Sequence, residues 1–326
     1  MGRIASRILV AAAGLLMTAS FGVAAQTVAS HRVGVLVPQP LPRGWEEKAF
    51  RDALRDLGYR QGVNLFIDVR SADGKLEQLP TIASELVRSG AHVIVALNTP
   101  GTRAAIGATS IVPIVMAEVG DPVATGFVSS LARPGGNVTG VSNMCGELAA
   151  KRLSLLREAV PGARRIAVML NPDDPITVPQ VKDAERAALS MGVEVRFFPV
   201  RAPAELDMAF DGVLAWRANA AMWLCGQQVA LERRSASLTP KHGLPVMSYR
   251  SEAIQFGAVL SYAPNREDLM RRAAVYVDKI LKGAKPADLP VDQPTKLELV
   301  VNLKAARALG IAIAQPVLLR ADRIVE

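Results

Sequence analysis

Residues 92–117, HVIVALNTPGTRAAIGATSIVPIVMA, decide the fold. His92 to Leu97 is a short apolar run rich in β-branched residues and reads as a buried strand. Thr102 to Ala108 has the pattern of a short helix, and Ile114 to Ala117 reads as the next strand. A strand, a loop, a helix and another strand make the unit from which parallel sheets with helices on both faces are built.

The same unit recurs outward in both directions. Upstream, Arg32 to Val37 (RVGVLV) is a strand, and Glu46 to Leu57 a helix with Phe50, Leu54 and Leu57 on one face and Gly58 as its stop. Leu65 to Val69 is a strand and Leu79 to Ser89 a helix ending at Gly90. Downstream, Val123 to Leu131 reads as a helix and Val138 to Ser142 as a strand. The pattern then restarts: helix Glu147–Val160, strand Arg165–Leu170, helix Val178–Met191 and strand Val193–Pro199. Gly212 to Trp216 is expected as a strand, Gln227 to Ser237 as a helix, and Pro245–Tyr249 and Ala258–Tyr262 as strands. The clearest helix is Asn265–Leu281: Asn265 can cap it, Glu267 and Asp268 suit its positive end, and Gly283 stops it. Leu269, Ala273, Tyr276, Val277 and Ile280 form its buried stripe. A proline-rich connection, 285–294, leads to strand Leu297–Asn302 and helix Lys304–Leu309. Two runs of alternating strands and helices in 326 residues predict an α/β protein of two similar lobes with parallel sheets. In such sheets ligands bind beyond the carboxyl ends of the strands.

The first 25 residues stand apart. Arg3 and Arg7 precede an apolar run from Ile8, and Val23-Ala24-Ala25 offers small residues for cleavage before Gln26. This is the pattern of a cleaved signal peptide and predicts a periplasmic protein; an uncleaved anchor is the alternative. Removal of residues 1–25 would leave a formal charge of 38 − 2 − 30 = +6. The basic residues are scattered among acids, and no long basic run points to nucleic acid. Cys145 and Cys225 are the two cysteines, open to a disulfide in an oxidising compartment or to burial as two small hydrophobes.

No chemical centre is visible. His31, His92 and His242 have no neighbour at metal-ligand spacing, and the chain has no G-x-S-x-G, P-loop or G-x-G-x-x-G. No cofactor or metal is expected, and the chain is read as a binding protein and not an enzyme.

Several strings resemble a known family. They are Gly120-Asp121-Pro122-Val123 with 131–141 (LARPGGNVTGV), Lys151-Arg152-Leu153 with Leu156-Arg157-Glu158, and 281–304 from Leu281-Lys282-Gly283 to Asn302-Leu303-Lys304. Together they resemble the ABC transporter substrate-binding family that includes tryptophan- and tyrosine-binding proteins of the TrpX kind. The resemblance runs from about Val33 to Glu326. It implies the type I periplasmic-binding fold: two Rossmann-like lobes, three crossovers and a ligand cleft between them. Lobe 1 would comprise 31–141 plus 263–290, and lobe 2 would comprise 142–262 plus 291–326.

Loop position and family pattern together nominate ligand residues. Gln39 lies where the first strand ends, and Asn98, Thr99 and Pro100 follow the third, where backbone N–H groups could hold a carboxylate at a helix start. Asp121 could accept from an amino group or simply cap the turn that Pro122 begins. Ser142 sits at the first crossover; Asn171, Trp216, Tyr249 and Arg250 are expected at strand ends facing the cleft from lobe 2, with stacking or ordinary packing open for Trp216. Against the family pattern, the helix between Ala204 and Asp211 reads as about two turns short. The function implied is reversible capture of a small organic ligand, an aromatic amino acid or related acid, by a monomer that delivers it to ABC permease and ATPase subunits. The alternatives are a periplasmic sensor subunit for a signalling receptor, or a secreted α/β enzyme.

Overall fold

The computed structural model describes residues 30–39, 45–174, 176–226, 234–235 and 241–326. The expected signal peptide lies outside these residues, as does most of the helix expected at 227–237.

The first sheet has five parallel strands in the order β2-β1-β3-β4-β5. They are β1 (His31–Val37), β2 (Leu65–Ser71), β3 (Val93–Leu97), β4 (Ile114–Val119) and β5 (Val138–Ser142). Their side chains alternate between two apolar layers, as strand geometry requires. Val33, Val35, Val37, Val93 and Val95 pack with Phe50 and Leu54 of helix α1 (Trp45–Asp56). Leu36, Ile94 and Ala96 face the other way, onto Leu79, Ala83 and Leu86 of α2 (Leu79–Arg88) and Ala104 and Ala105 of α3 (Asn98–Ala108).

The second sheet has seven strands, β12-β11-β10-β9-β8-β6-β7. These are β6 (Arg165–Leu170), β7 (Glu194–Pro199), β8 (Ala220–Trp223), β9 (Val246–Ser248), β10 (Leu260–Pro264), β11 (Leu297–Asn302) and β12 (Arg323–Val325). Helices α4 (Ala149–Ala159) and α5 (Thr177–Met191) supply residues to one face, and α6 (Leu206–Ala215) to the other. One pair departs from the expected parallel pattern: β10 and β11 run antiparallel.

Helix α7 (Arg266–Leu281) returns the chain to the first sheet, packing Leu269, Ala273 and Val277 into the same layer as α1. Asn265 caps it as expected, its side chain accepting from the Asp268 N–H at 2.8 Å. The chain therefore passes between the sheets three times: after Ser142, between Pro264 and Arg266, and between Asp292 and Leu297. These passages lie side by side, Ser142 N donating to Asp292 O at 2.9 Å and Asn265 N to Lys296 O at 3.2 Å. The short α8 (Leu303–Ala308) and α9 (Gln315–Arg320) complete the second lobe.

Two expectations are corrected. Gly212–Trp216 is not a strand: α6 runs through Gly212, and the strand comes later, at Ala220–Trp223. Gly212 sits in mid-helix because an added Cβ would lie 3.3 Å from Phe198 Cε1, so the helix can approach the sheet closely. α6 ends at Ala215, about one turn beyond Asp211. Val123–Leu131 is a series of turns, not a helix; the chain reverses at Gly126, whose φ is 71°.

Cys145 and Cys225 form a disulfide with their Cα atoms 5.8 Å apart. It ties the first crossover to the loop after β8.

Candidate functional site

The loops at the carboxyl ends of the strands in both sheets line a cavity of about 40 Å³. That is well below the about 300–1,000 Å³ usual for small-molecule sites, so the lobes stand close together over it. The first lobe contributes Pro38 and Gln39 after β1, Asn98, Thr99 and Pro100 at the start of α3, and Glu118 and Gly120 at the end of β4. The second contributes Ile176 ahead of α5, Cys225 and Gly226 after β8, and Tyr249 and Arg250 after β9; Asn143 of the first crossover closes the back. The lobes meet here: a Cβ on Gly120 would lie 3.2 Å from Ile176 Cδ1.

Two residues on this wall hold left-handed backbone that non-glycine residues rarely adopt, Asn98 at φ 58° and Glu118 at φ 64°. Such strain concentrates at functional sites. α3 has no side-chain cap, so its first N–H groups, from Asn98, Thr99 and Gly101, remain at the positive end of the helix dipole beside the cavity. The Tyr249 hydroxyl donates to Gly226 O at 3.0 Å, fixing that wall. Gln180, fully buried, holds the same loop by donating to Cys225 O at 2.9 Å and accepting from Cys225 N at 2.8 Å.

Charge reaches the cavity from both lobes. The carboxylate of Glu118 accepts from Arg266 Nε at 2.7 Å and Nη2 at 2.9 Å. Arg266 also donates through Nη1 to Glu252, which pairs with Arg250 at 3.6 Å. Burial by itself would raise the Glu252 carboxyl, but Arg250 and Arg266 outweigh it and hold the group down at about 2. Burial opposes the charge on Arg250, yet Glu252 more than compensates and its guanidinium is held above its ordinary value. Because the folded value of Glu252 is depressed, the stability it contributes is complete above its ordinary 4.5 and is lost as pH falls towards 2. That contribution is about 3 kcal/mol. Melting temperature should therefore fall between pH 4.5 and pH 2, and Glu252→Gln should flatten that slope while lowering stability at neutral pH. An equal slope in both proteins would remove Glu252 as its cause.

Of the residues the sequence nominated, Gln39, Asn98, Thr99, Pro100, Tyr249 and Arg250 line the cavity. Asp121, Ser142, Asn171 and Trp216 lie off its wall. The Asp121 carboxylate accepts from Val123 N at 3.1 Å and Ala124 N at 2.9 Å, so it serves the turn. Ser142 is buried and donates to Val119 O at 3.1 Å, bracing the crossover. Asn171 accepts from Asp173 N at 2.9 Å in a local turn. Trp216 follows the last residue of α6, near the amino end of β6, where Arg165 Nη1 donates to its carbonyl at 3.3 Å; its ring packs 6.1 Å from Phe198. It sits there because a helix preceding a parallel strand ends at the opposite edge of the sheet from the cleft.

Sequence reasoning missed Glu118, Ile176 and Gly226. A single acid ending the apolar run IVMAEV was the one available signal for Glu118.

Among the described residues no group of three or more His, Cys, Asp or Glu could hold a metal ion, and no helix is long and apolar enough to cross a membrane.

Two α/β lobes, a triple crossover and a cleft at the strand ends define a solute-binding protein with the type I periplasmic-binding fold. The chain belongs to the ABC transporter substrate-binding protein family, whose model matches residues 43–325. A tyrosine-binding protein of Clostridioides difficile (strain R20291) is 28% identical over 265 residues, 81% of this chain and 76% of that one. An ABC domain from Streptococcus pneumonia solved in complex with L-Trp matches with a TM-score of 0.82 at 26% identity, covering 91% of this chain and all (100%) of that one. The ligand-free, open structure of a substrate-binding protein with adhesive properties from Clostridium difficile matches with a TM-score of 0.70 at 25% identity, covering 90% of this chain and 99% of that one.

Proposed function

We propose that this protein is exported to the periplasm, where as a monomer it captures an aromatic amino acid or a related small acid and delivers it to ABC permease and ATPase subunits. The cavity between the lobes carries this reading. It places the uncapped start of α3 and Arg250 on its walls, with Tyr249, Ile176, Pro38 and Pro100 as apolar lining. A carboxylate suits the first pair and an apolar side chain the rest. Gln39, Asn98, Thr99, Pro100, Tyr249 and Arg250 are the residues we assign to ligand contact, and Asp121, Ser142, Asn171 and Trp216 are not retained. At nearly equal identity, the chain superimposes better on the L-Trp complex than on the ligand-free, open structure, which fits lobes drawn together over the cavity. We divide the lobes as 31–141 with 265–290 and 142–264 with 291–326, since β10 pairs through Pro264 in the second sheet.

The test is a thermal-shift screen of the chain from Gln26 against L-tyrosine, L-tryptophan, their carboxylate analogues and unrelated metabolites. A ligand that binds only the folded state adds about 2.7 kcal/mol at 100 times its dissociation constant. A rise in melting temperature with the aromatic amino acids is expected. A cooperative melt that none of them moves would overturn the ligand class.

A further inference from the structure

We propose that Glu118 is the acceptor for a cationic group on the ligand, with Arg266 as its positioning residue. This rests on the capture role proposed above.

The backbone aims Glu118 out of the sheet. Along β4 the side chains alternate, Ile114 and Met116 into one apolar layer and Val115 and Ala117 into the other. Regular continuation would send residue 118 into the layer of Met116. Val119 occupies that layer instead, and the β4–β5 register shifts between Ala117 and Val119. Glu118 is thus the extra residue of a bulge, the device by which sheets re-aim a side chain beside a site. Its φ of 64° is the strained conformation that the bulge demands, and Asn143 Nδ2 secures it by donating to Glu118 O at 3.0 Å. A structure needing only an apolar strand end would have no use for a carboxylate in that place.

The carboxylate keeps capacity for a ligand. Glu118 is 4% exposed and lines the cavity. Arg266 takes two of its acceptor positions, and an ionised carboxylate offers about four. Arg266 divides its hydrogen bonds between Glu118 and Glu252 and so orients Glu118. The chain Glu118–Arg266–Glu252–Arg250 begins and ends on the cavity wall, negative on the first lobe and positive on the second. A ligand carrying both charges would engage both lobes at once, which favours the closed form. Asp121, the acid nearest in sequence, has its carboxylate directed to the turn at Val123 and Ala124.

Calorimetric titration of the chain from Gln26 with two matched pairs tests this: L-tryptophan against indole-3-propionate, and L-tyrosine against 3-(4-hydroxyphenyl)propionate. Each second compound lacks only the amino group. The wild type should bind at least one amino acid about tenfold or more tighter than its partner, and Glu118→Gln should erase that ratio by weakening the amino acid far more than its partner. Equal weakening of both members of a pair by Glu118→Gln would show a structural ion pair only and overturn the assignment. If Glu118→Gln fails to fold, the wild-type ratio decides, and amino acid and analogue binding alike overturns it. A wild type that binds none of the four compounds would overturn the capture reading and this assignment with it.

Discussion

The Cys145→Ser/Cys225→Ser double variant is expected to lose about 4 kcal/mol of stability, the value for opening a closed loop of this length. The bridge joins residues 80 apart, so the unfolded chain without it gains the conformational freedom of a long loop. The folded state adds to the loss. Both cysteines are nearly fully buried in the layer that holds Met169, Phe198 and Trp223, and the smaller serines would fill it less well. At roughly 2–4 °C per kcal/mol for lobes of this size, the melting temperature should drop by roughly 8–16 °C. Scanning calorimetry of the variant, and of the wild type with and without a thiol reductant, measures it. A change below about 2 °C in both would mean that the bridge does not constrain the unfolded chain.

The two-lobed fold was legible because its strands are buried on both faces. Runs such as RVGVLV at 32–37 and HVIVAL at 92–97 have no polar side to confuse with a loop, and Gly58, Gly90 and Gly283 mark the helix ends between them. The failure at Gly212–Trp216 has a definite cause. GVLAW is an apolar run opened by glycine, which imitates a buried strand, while the helical spacing of the buried Leu206, Phe210 and Val213 runs straight through it. Gly212 marks close packing of the helix against Phe198. Moving the strand to Ala220–Trp223 also removed Trp216 from the cleft. Within the site, residues directly after β1, β3 and β9 could be found, since strand ends can be counted from sequence. Glu118 could not, because a bulge is set by pairing with a neighbouring strand, and one chain read in order does not show it. The same limit hid the antiparallel β10–β11 pair.

Gly140→Ala is expected to be the most damaging single substitution in the first lobe. Gly140 lies opposite Met116 in the β4–β5 pair, at φ 135°. A Cβ built there falls 2.1 Å from Met116 O and 2.7 Å from Met116 N. Real contacts of a Cβ do not come below 3.0 Å, and the obstructing atoms are backbone, so no side chain can swing aside. Met116 itself is fully buried in the layer formed with Ile94, Ile114 and Val138, which leaves β4 no room to retreat. Backbone strain of about 1–3 kcal/mol and overpacking of similar size give about 4 kcal/mol in total. The loss extends to the hinge, since Gly140 O accepts from Asp292 N at 2.9 Å in the third crossover. Denaturant unfolding should show a lower midpoint at an unchanged slope. The site lies in the first sheet and the disulfide against the second, so combining Gly140→Ala with the double serine variant should give the sum of the two losses within about 0.5 kcal/mol. A sum well short of additive would mean that one lobe already unfolds when the other is damaged, and that the three crossovers transmit stability as well as motion.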